Sequence, residues 1–208
     1  MRSCDVVQVV RTTVDYCGVG VYSGIYAIQK DSEITQLATR IQALKPRVIV
    51  EIGTARGGTL FIWARTNPSS ELIVSIDLPG GEFGGGYDPR RGKMYREFAY
   101  GHPDTELVLL RSDSHAQSTF DTLVAHLAGR NVDFLWIDGD HTYQGVKKDF
   151  ALYRSLVRKG GMVAFHDILT KGDGHEVWKF WNEVKATHVS EEIIEDPGSD
   201  MGIGILTL

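Results

Sequence analysis

The segment Ile137-Asp138-Gly139-Asp140-His141 packs three ionisable side chains into four residues, directly after an apolar run. Gly139 permits an abrupt turn that could aim Asp138 and Asp140 into one space. His166-Asp167 closes the next apolar run and would lie beside them. Carboxylates with histidine and open positions suit a dication with oxygen ligands, Mg²⁺ or Mn²⁺. Such an ion lowers the pKa of a coordinated hydroxyl, and a nearby base can then take its proton. Asp140 and His141 are the candidates for that base, neutral imidazole being the easier acceptor near pH 7. The alternative is a loop held by Asp-to-backbone hydrogen bonds without an ion.

A second group of residues points to a ligand with a ribose. Glu51–Thr59 (EIGTARGGT) has glycines at 53, 57 and 58 between a strand-like and a helix-like run. They let the chain turn sharply and a ligand approach where a Cβ would clash. The spacing is neither GxGxxG nor GxxxxGK[ST], which disfavours a phosphate cradle. Glu51 would repel a pyrophosphate and suits a ligand carrying an ammonium and a sulfonium. Asp77 follows Gly53 by 24 positions and ends the next strand, where a carboxylate can accept both ribose hydroxyls. Asp113 ends the third strand, where an adenine amino group needs an acceptor; a turn-capping role is the alternative.

These residues need a scaffold that gathers strand ends. Helical spacing covers Asp31–Leu44, with Asp31 or Ser32 as a cap, then 59–66, Gln117–Leu127, 143–158 (Val146, Phe150, Tyr153 and Val157 on one face) and 176–185. Gly160-Gly161 reads as a helix stop. Short apolar runs at 47–52, 72–76, 107–110, Val132–Ile137 and 162–165 read as strands. Strands alternating with helices imply a parallel sheet covered on both faces. Four of the strands end near Asp77, Asp113, Asp138 and Asp167, so the polar ends converge on one crevice. The runs 190–194 and 202–208 read as an antiparallel hairpin around a tight turn at Asp196-Pro197-Gly198. The expected fold is α/β, a single doubly wound, mostly parallel seven-strand sheet with this terminal hairpin. Residues 1–30 form an N-terminal segment and 31–208 the domain.

The totals fit this picture. The 208 residues are 42% apolar and 24% charged, with net charge −5. That is an ordinary globular balance without the basic excess of a nucleic-acid binder. No apolar run reaches the roughly 20 residues of a membrane span, and no secretory signal is visible. Cys4 and Cys17 match no metal or disulfide pattern and read as reduced thiols of a cytoplasmic protein. The glycine-rich stretch Gly81–Tyr87, with Asp88-Pro89-Arg90-Arg91, could be a mobile lid or an irregular connection. Trp178 and Trp181 read as core. Tyr16, Tyr22 and Tyr26 could cover a substrate or form a contact between copies of the chain.

The segments 48–59 (VIVEIGTARGGT), 75–78 (SIDL), 133–143 (DFLWIDGDHTY) and 160–167 (GGMVAFHD) resemble class I S-adenosylmethionine-dependent methyltransferases. The resemblance covers roughly residues 25 to 208. It is greatest to the small branch of macrocin-type O-methyltransferases and cephalosporin-hydroxylase-like proteins. It implies that Glu51 and the backbone of Gly53, Thr54, Ala55, Gly57, Gly58 and Thr59 hold the methionine part. Asp77 would hold the ribose and Asp113 with Ser114 the adenine, and Asp138 is counted among the cofactor-binding residues as well. In metal-dependent relatives the positions of Asp138 and the pair His166-Asp167 hold Mg²⁺. Histidine replaces their aspartate at 166, a poorer Mg²⁺ ligand.

The expected activity is therefore transfer of a methyl group from S-adenosylmethionine to a hydroxyl of a small molecule, with metal assistance and His141 or Asp140 as base. No nucleic-acid or membrane partner is expected, and a homo-oligomer stays open. The competing classes are an NAD-dependent oxidoreductase, which the glycine spacing and hairpin oppose, and a non-catalytic cofactor-binding protein. Hydroxylation through non-haem iron needs two histidines and one carboxylate, a set that Asp138, His166 and Asp167 leave incomplete without His141.

Overall fold

Seven strands form one sheet: β1 (Val48–Ile52), β2 (Leu72–Asp77), β3 (Glu106–Arg111), β4 (Val132–Ile137), β5 (Val157–Phe165), β6 (Val189–Ile193) and β7 (Ile203–Thr207). Their order across the sheet is β3-β2-β1-β4-β5-β7-β6. The computed structural model describes residues 5–80, 86–172, 174–198 and 200–208. The first five strands pair in parallel, and β7 lies antiparallel between β5 and β6. Strand order reverses between β1 and β4, which opens a crevice at their carboxyl ends.

Helices cover both faces because both faces are apolar. On one side lie α1 (Val6–Asp15), α2 (Asp31–Leu44), α3 (Gly58–Thr66) and α4 (Arg91–Arg96), packed with Ile49, Ile73, Phe134 and Trp136. On the other lie α5 (Gln117–Leu127), α6 (Tyr143–Tyr153) and α7 (Val177–Val184), packed with Val48, Val50, Ile52, Leu135 and Ile137. Successive strand residues thus supply alternate faces. Each fully buried large apolar side chain contributes about 1.5–3 kcal/mol. Among the described residues, no helix is long and apolar enough to cross a membrane.

The sequence expectations need four corrections. Asp31 does not cap α2: Lys30 occupies the cap position without a side-chain hydrogen bond, and Asp31 and Glu33 lie in the first turn, where the helix dipole favours acids. Helix α6 stops at Tyr153, a single 3₁₀ turn follows over Arg154–Leu156, and Val157 already belongs to β5. Gly160-Gly161 lies inside that strand and ends no helix. A register shift between the pairs Val132/Val157 and Phe134/Met162 absorbs the left-handed Gly160 (φ 73°). The terminal hairpin is antiparallel as expected, yet Ile193 pairs with Ile203, so residues 194–202 form a longer connection than a tight turn.

Buried Glu33 explains how that connection is held. Its carboxylate accepts the backbone N–H of Glu195 (3.0 Å) and of Gly202 (3.1 Å), joining α2 to the hairpin. The helices α1 and α4 have no counterpart in the sequence reading. Asp5 caps α1 by accepting from Val7 N and Gln8 N, and Val6, Val9 and Val10 are buried.

Candidate functional site

The loop after β1 and the end of β2 hold each other. Asp77 is 7% exposed. Its Oδ2 accepts the N–H of Ala55 (2.8 Å), and its Oδ1 accepts the N–H of Gly86 (3.0 Å). Burial raises the Asp77 carboxyl against these hydrogen bonds. Gly53 takes φ 98°, and a Cβ there would lie 2.6 Å from the Asp138 carbonyl carbon. Glycine is therefore required for the β1 and β4 loops to touch. Gly53, Thr54, Ala55, Gly58, Thr59 and Asp77 line one cavity of about 610 Å³, within the usual range of small-molecule sites.

Glu51 and Gly57 do not line this cavity. The expectation that Glu51 faces a ligand ammonium is corrected by strand parity: Glu51 lies on the α3 face of β1 and is fully buried. It accepts Trp63 Nε1–H (2.9 Å) and Ser75 Oγ–H (2.6 Å). Burial pushes its carboxyl up to about 7, although hydrogen bonds from Ser75, Thr59 and Trp63 pull the other way. It is a positioning residue beneath the loop. Gly57 (φ 79°) leaves room for the Tyr95 ring, whose Cε1 would lie 2.6 Å from a Cβ.

The densest polar cluster sits at the ends of β4 and β5. Asp138 Oδ1 lies 3.2 Å from His166 Nδ1 and 3.4 Å from His141 Nε2, and its Oδ2 accepts Gln29 Nε2–H at 2.7 Å. Asp167 Oδ2 lies 3.5 Å from His166 Nδ1 and 3.6 Å from His141 Nδ1, and its Oδ1 accepts the Thr170 hydroxyl at 2.6 Å. Asp167 adopts φ 60°, uncommon for a residue with a Cβ. Burial works against charge here, yet the opposite charges prevail. Asp138 and Asp167 are held below the ordinary carboxylate range, His141 is raised, and His166 is pushed up to about 10.

The structure separates the two candidate bases. Asp140 turns away from this cluster: its Oδ1 accepts the Thr142 N–H (2.9 Å), and its carboxyl crosses Gly145, where any Cβ would collide with it. His141 faces Asp138 and Asp167. Asp138, His166 and Asp167 bring ligand atoms within 4.8 Å of one another, and so do His141, Asp167 and His175.

At the far side of the cavity, Asp113 Oδ1 accepts the His115 N–H (2.8 Å), the turn-capping alternative, while Asp113 and Ser114 also line the cavity. His115 was not anticipated. Its Nε2 lies 3.2 Å from Gly145 O and 3.3 Å from Oδ1 of fully buried Asp149. The hydrogen bond to Asp149 raises the His115 imidazole.

Residues 26–29 close another wall. Buried Arg91 fixes the chain before them, donating to Val21 O, Gly24 O, Arg56 O (3.1 Å) and Tyr95 Oη (2.8 Å). Of the glycine-rich stretch, residues 81–85 lie outside the described residues; Arg91 begins α4, so the far side of the stretch is anchored. Gln29 and His175 carried no motif, although Gly172 and Gly174 around His175 (φ 96° and 82°) signal a built turn.

A family model described as "Methyltransferase domain" matches residues 50–168. A curated relative, "Uncharacterized protein y4gI" of Sinorhizobium fredii, is 27% identical over 156 residues. The match covers 72% of this chain, but the chain spans only 16% of that protein. An O-methyltransferase from Bacillus cereus, solved in complex with SAH, superposes with TM-score 0.60 at 15% identity, covering all of this chain and 92% of that one. MycE methyltransferase of mycinamycin biosynthesis, solved with Mg and SAH, gives 0.61 at 14% identity, covering 99% of this chain and 55% of that one. At these identities the two structures are similar in fold.

Proposed function

Because the chain belongs to the methyltransferase-domain family and has the class I S-adenosylmethionine-dependent fold, we propose that it transfers a methyl group from S-adenosylmethionine to a hydroxyl of a small molecule. One observation carries this reading: a single cavity runs from Asp77 and the 53–59 loop to His141. A ribose-holding carboxylate and a proton acceptor thereby share one space. A cytoplasmic setting belongs to the same reading.

The residues present fit the cofactor. The Asp77 carboxylate is fixed by two backbone N–H groups and keeps lone pairs for a ribose diol. The backbone of Gly53, Thr54, Ala55 and Gly58 would carry the methionine part, and Asp113, Ser114 and His115 would border the adenine. S-adenosylmethionine held by these residues would supply a sulfonium-activated methyl group, which would pass to the acceptor oxygen with the carbon–sulfur electron pair left on sulfur. His141 takes the hydroxyl proton, and the imidazolium so formed is stabilised by Asp138 and Asp167. Asp140 anchors the loop and takes no part in proton transfer. Gln29 holds Asp138 by its other oxygen. Residues 26–29 and the walls around them orient the acceptor, which supplies much of the rate.

The Mg²⁺ expected at Asp138, His166 and Asp167 does not fit this donor set. Mg²⁺ favours near-octahedral oxygen ligands. Here both oxygens of Asp138 are engaged by Gln29 and two imidazoles, and both oxygens of Asp167 by Thr170 and imidazoles. No step is routed through such an ion.

The test is incubation of the protein with S-adenosylmethionine and a panel of hydroxylated small molecules, with mass spectrometry of the products. A product heavier by one CH₂, absent without the protein, is expected. Cofactor binding without transfer across the panel would favour a non-catalytic binding protein. Binding of a nicotinamide dinucleotide in place of S-adenosylmethionine would restore the oxidoreductase reading.

A further inference from the structure

The cavity end that disfavours Mg²⁺ carries a second grouping, in which His141 and His175 stand with Asp167 in place of Asp138 and His166. His175 stands on a short turn closed by a bridge to Gly172, with its N–H donating to Gly172 O at 2.8 Å. That turn is pinned to the β4 loop: Glu176 N–H donates to His141 O (2.7 Å), and Tyr143 N–H donates to Glu176 Oε2 (3.3 Å). The His141 and His175 rings lie with centroids 4.8 Å apart and planes tilted by 40°. Ligand atoms of His141, His175 and Asp167 lie within 4.8 Å of one another.

We infer that His141, Asp167 and His175 form a binding site for a first-row transition dication of the Zn²⁺ or Fe²⁺ kind, sharing only Asp167 with the Asp138, His166 and Asp167 set. Two imidazoles and one carboxylate are the donors such ions select, whereas Mg²⁺ selects oxygen. The spacing agrees. Two ligands bonded at about 2.0–2.1 Å in a tetrahedral site stand about 3.4 Å apart, and His141 Nδ1 lies 3.6 Å from Asp167 Oδ2.

The surroundings supply what a metal-bound histidine needs at its other nitrogen. His141 Nε2 faces Asp138 Oδ1 at 3.4 Å, and its Nδ1 is turned to Asp167 Oδ2 (3.6 Å), the side on which an ion would bind. The other oxygen of Asp167 is likewise held by the Thr170 hydroxyl, and an ion at Oδ2 would share that oxygen with His166 Nδ1 (3.5 Å). Asp138 is anchored in turn by Gln29. His141 cannot be a ligand at Nδ1 and accept a proton there at once. Ion loading and the proposed base role are therefore alternative states of this residue.

The experiment uses the whole chain, stripped by chelation and titrated with Co²⁺ alone, without cofactor. Bound ion is followed by ligand-field absorption and by metal content after equilibrium dialysis. One equivalent of Co²⁺ is expected, displaced by Zn²⁺ and not by excess Mg²⁺. His175→Ala should weaken Co²⁺ binding by at least about 100-fold, and Asp138→Asn by about 10–100-fold. His166→Gln, which removes no ligand but alters a neighbour of Asp167 Oδ2 (3.5 Å), should weaken it less than His175→Ala does. Thermal unfolding establishes that each variant is folded. Equal Co²⁺ affinity in His175→Ala and wild type would overturn the inference. So would loss in His166→Gln with retention in His175→Ala, equal competition by Mg²⁺, or no Co²⁺ binding at all. Because no cofactor enters this titration, its failure is separate from failure of the methyl-transfer reading.

Discussion

Replacing Asp77 by Asn removes one acceptor oxygen while keeping the shape of the side chain. Both carboxylate oxygens already accept backbone N–H groups, from Ala55 and Gly86, and each retains a lone pair for a ribose hydroxyl. The Asn amide nitrogen accepts nothing, so one backbone donor and one ribose hydroxyl lose their partner. A hydrogen bond to a charged group is worth about 1.5–3 kcal/mol. Loss of one such bond to the ribose should weaken S-adenosylhomocysteine binding by about 10–150-fold. The cost to folding is smaller, about 1 kcal/mol, because Asn relieves a buried charge as it loses a neutral donor. Calorimetric titration of wild type and Asp77→Asn, with melting curves of both, measures the two effects. Affinities within about twofold of each other in folded proteins would refute the ribose assignment.

Further outcomes follow from the same geometry. His141→Ala should lower turnover by about 10²–10⁴ with cofactor affinity nearly unchanged. Asp140→Ala should lose only the hydrogen bond that Asp140 accepts from the Thr142 N–H, about 1 kcal/mol of stability in urea titration; equal loss of turnover in both variants would contradict the base assignment. The Glu51 carboxyl titrates at 4.5 unperturbed and at about 7 in the fold, so the fold prefers the protonated form. Its contribution is complete below about pH 4.5 and is lost as pH rises through about 7, a change of about 3 kcal/mol. Wild type should therefore lose stability relative to Glu51→Gln over that window, and parallel curves would count against it. Arg91→Lys cannot reproduce a fork that reaches three carbonyls and a phenol. It should open residues 21–24 to limited proteolysis, and an unchanged digestion pattern would show that the clamp is dispensable.

Much of the scaffold could be read from the chain because buried strands and amphipathic helices have distinct periods. Gln117–Leu127 and Val132–Ile137 were bounded without error, each being closed by polar or turn residues. The 143–158 run failed where period alone could not show that Val157 pairs with Val132, a contact made by tertiary register. Asp77, Asp138, His166 and Asp167 were legible as strand ends that converge. The fate of Glu51 was not, since whether a strand-end acid faces a ligand or the core depends on parity against Trp63 and Ser75. Gln29, His115 and His175 stayed hidden because each joins the cavity wall through a partner distant in sequence: Asp138, Asp149 and His141. Asp140 and His141 differ by one position and part company only when Gly145 lets the first fold over α6.

The central claim is that the cavity between Asp77 and His141 is a cofactor site for S-adenosylmethionine. Calorimetric titration of the wild-type chain with S-adenosylmethionine and S-adenosylhomocysteine tests it most directly. Saturable one-to-one binding of both is expected, with a nicotinamide dinucleotide giving no competing heat. Absence of binding by either ligand to folded protein would contradict it.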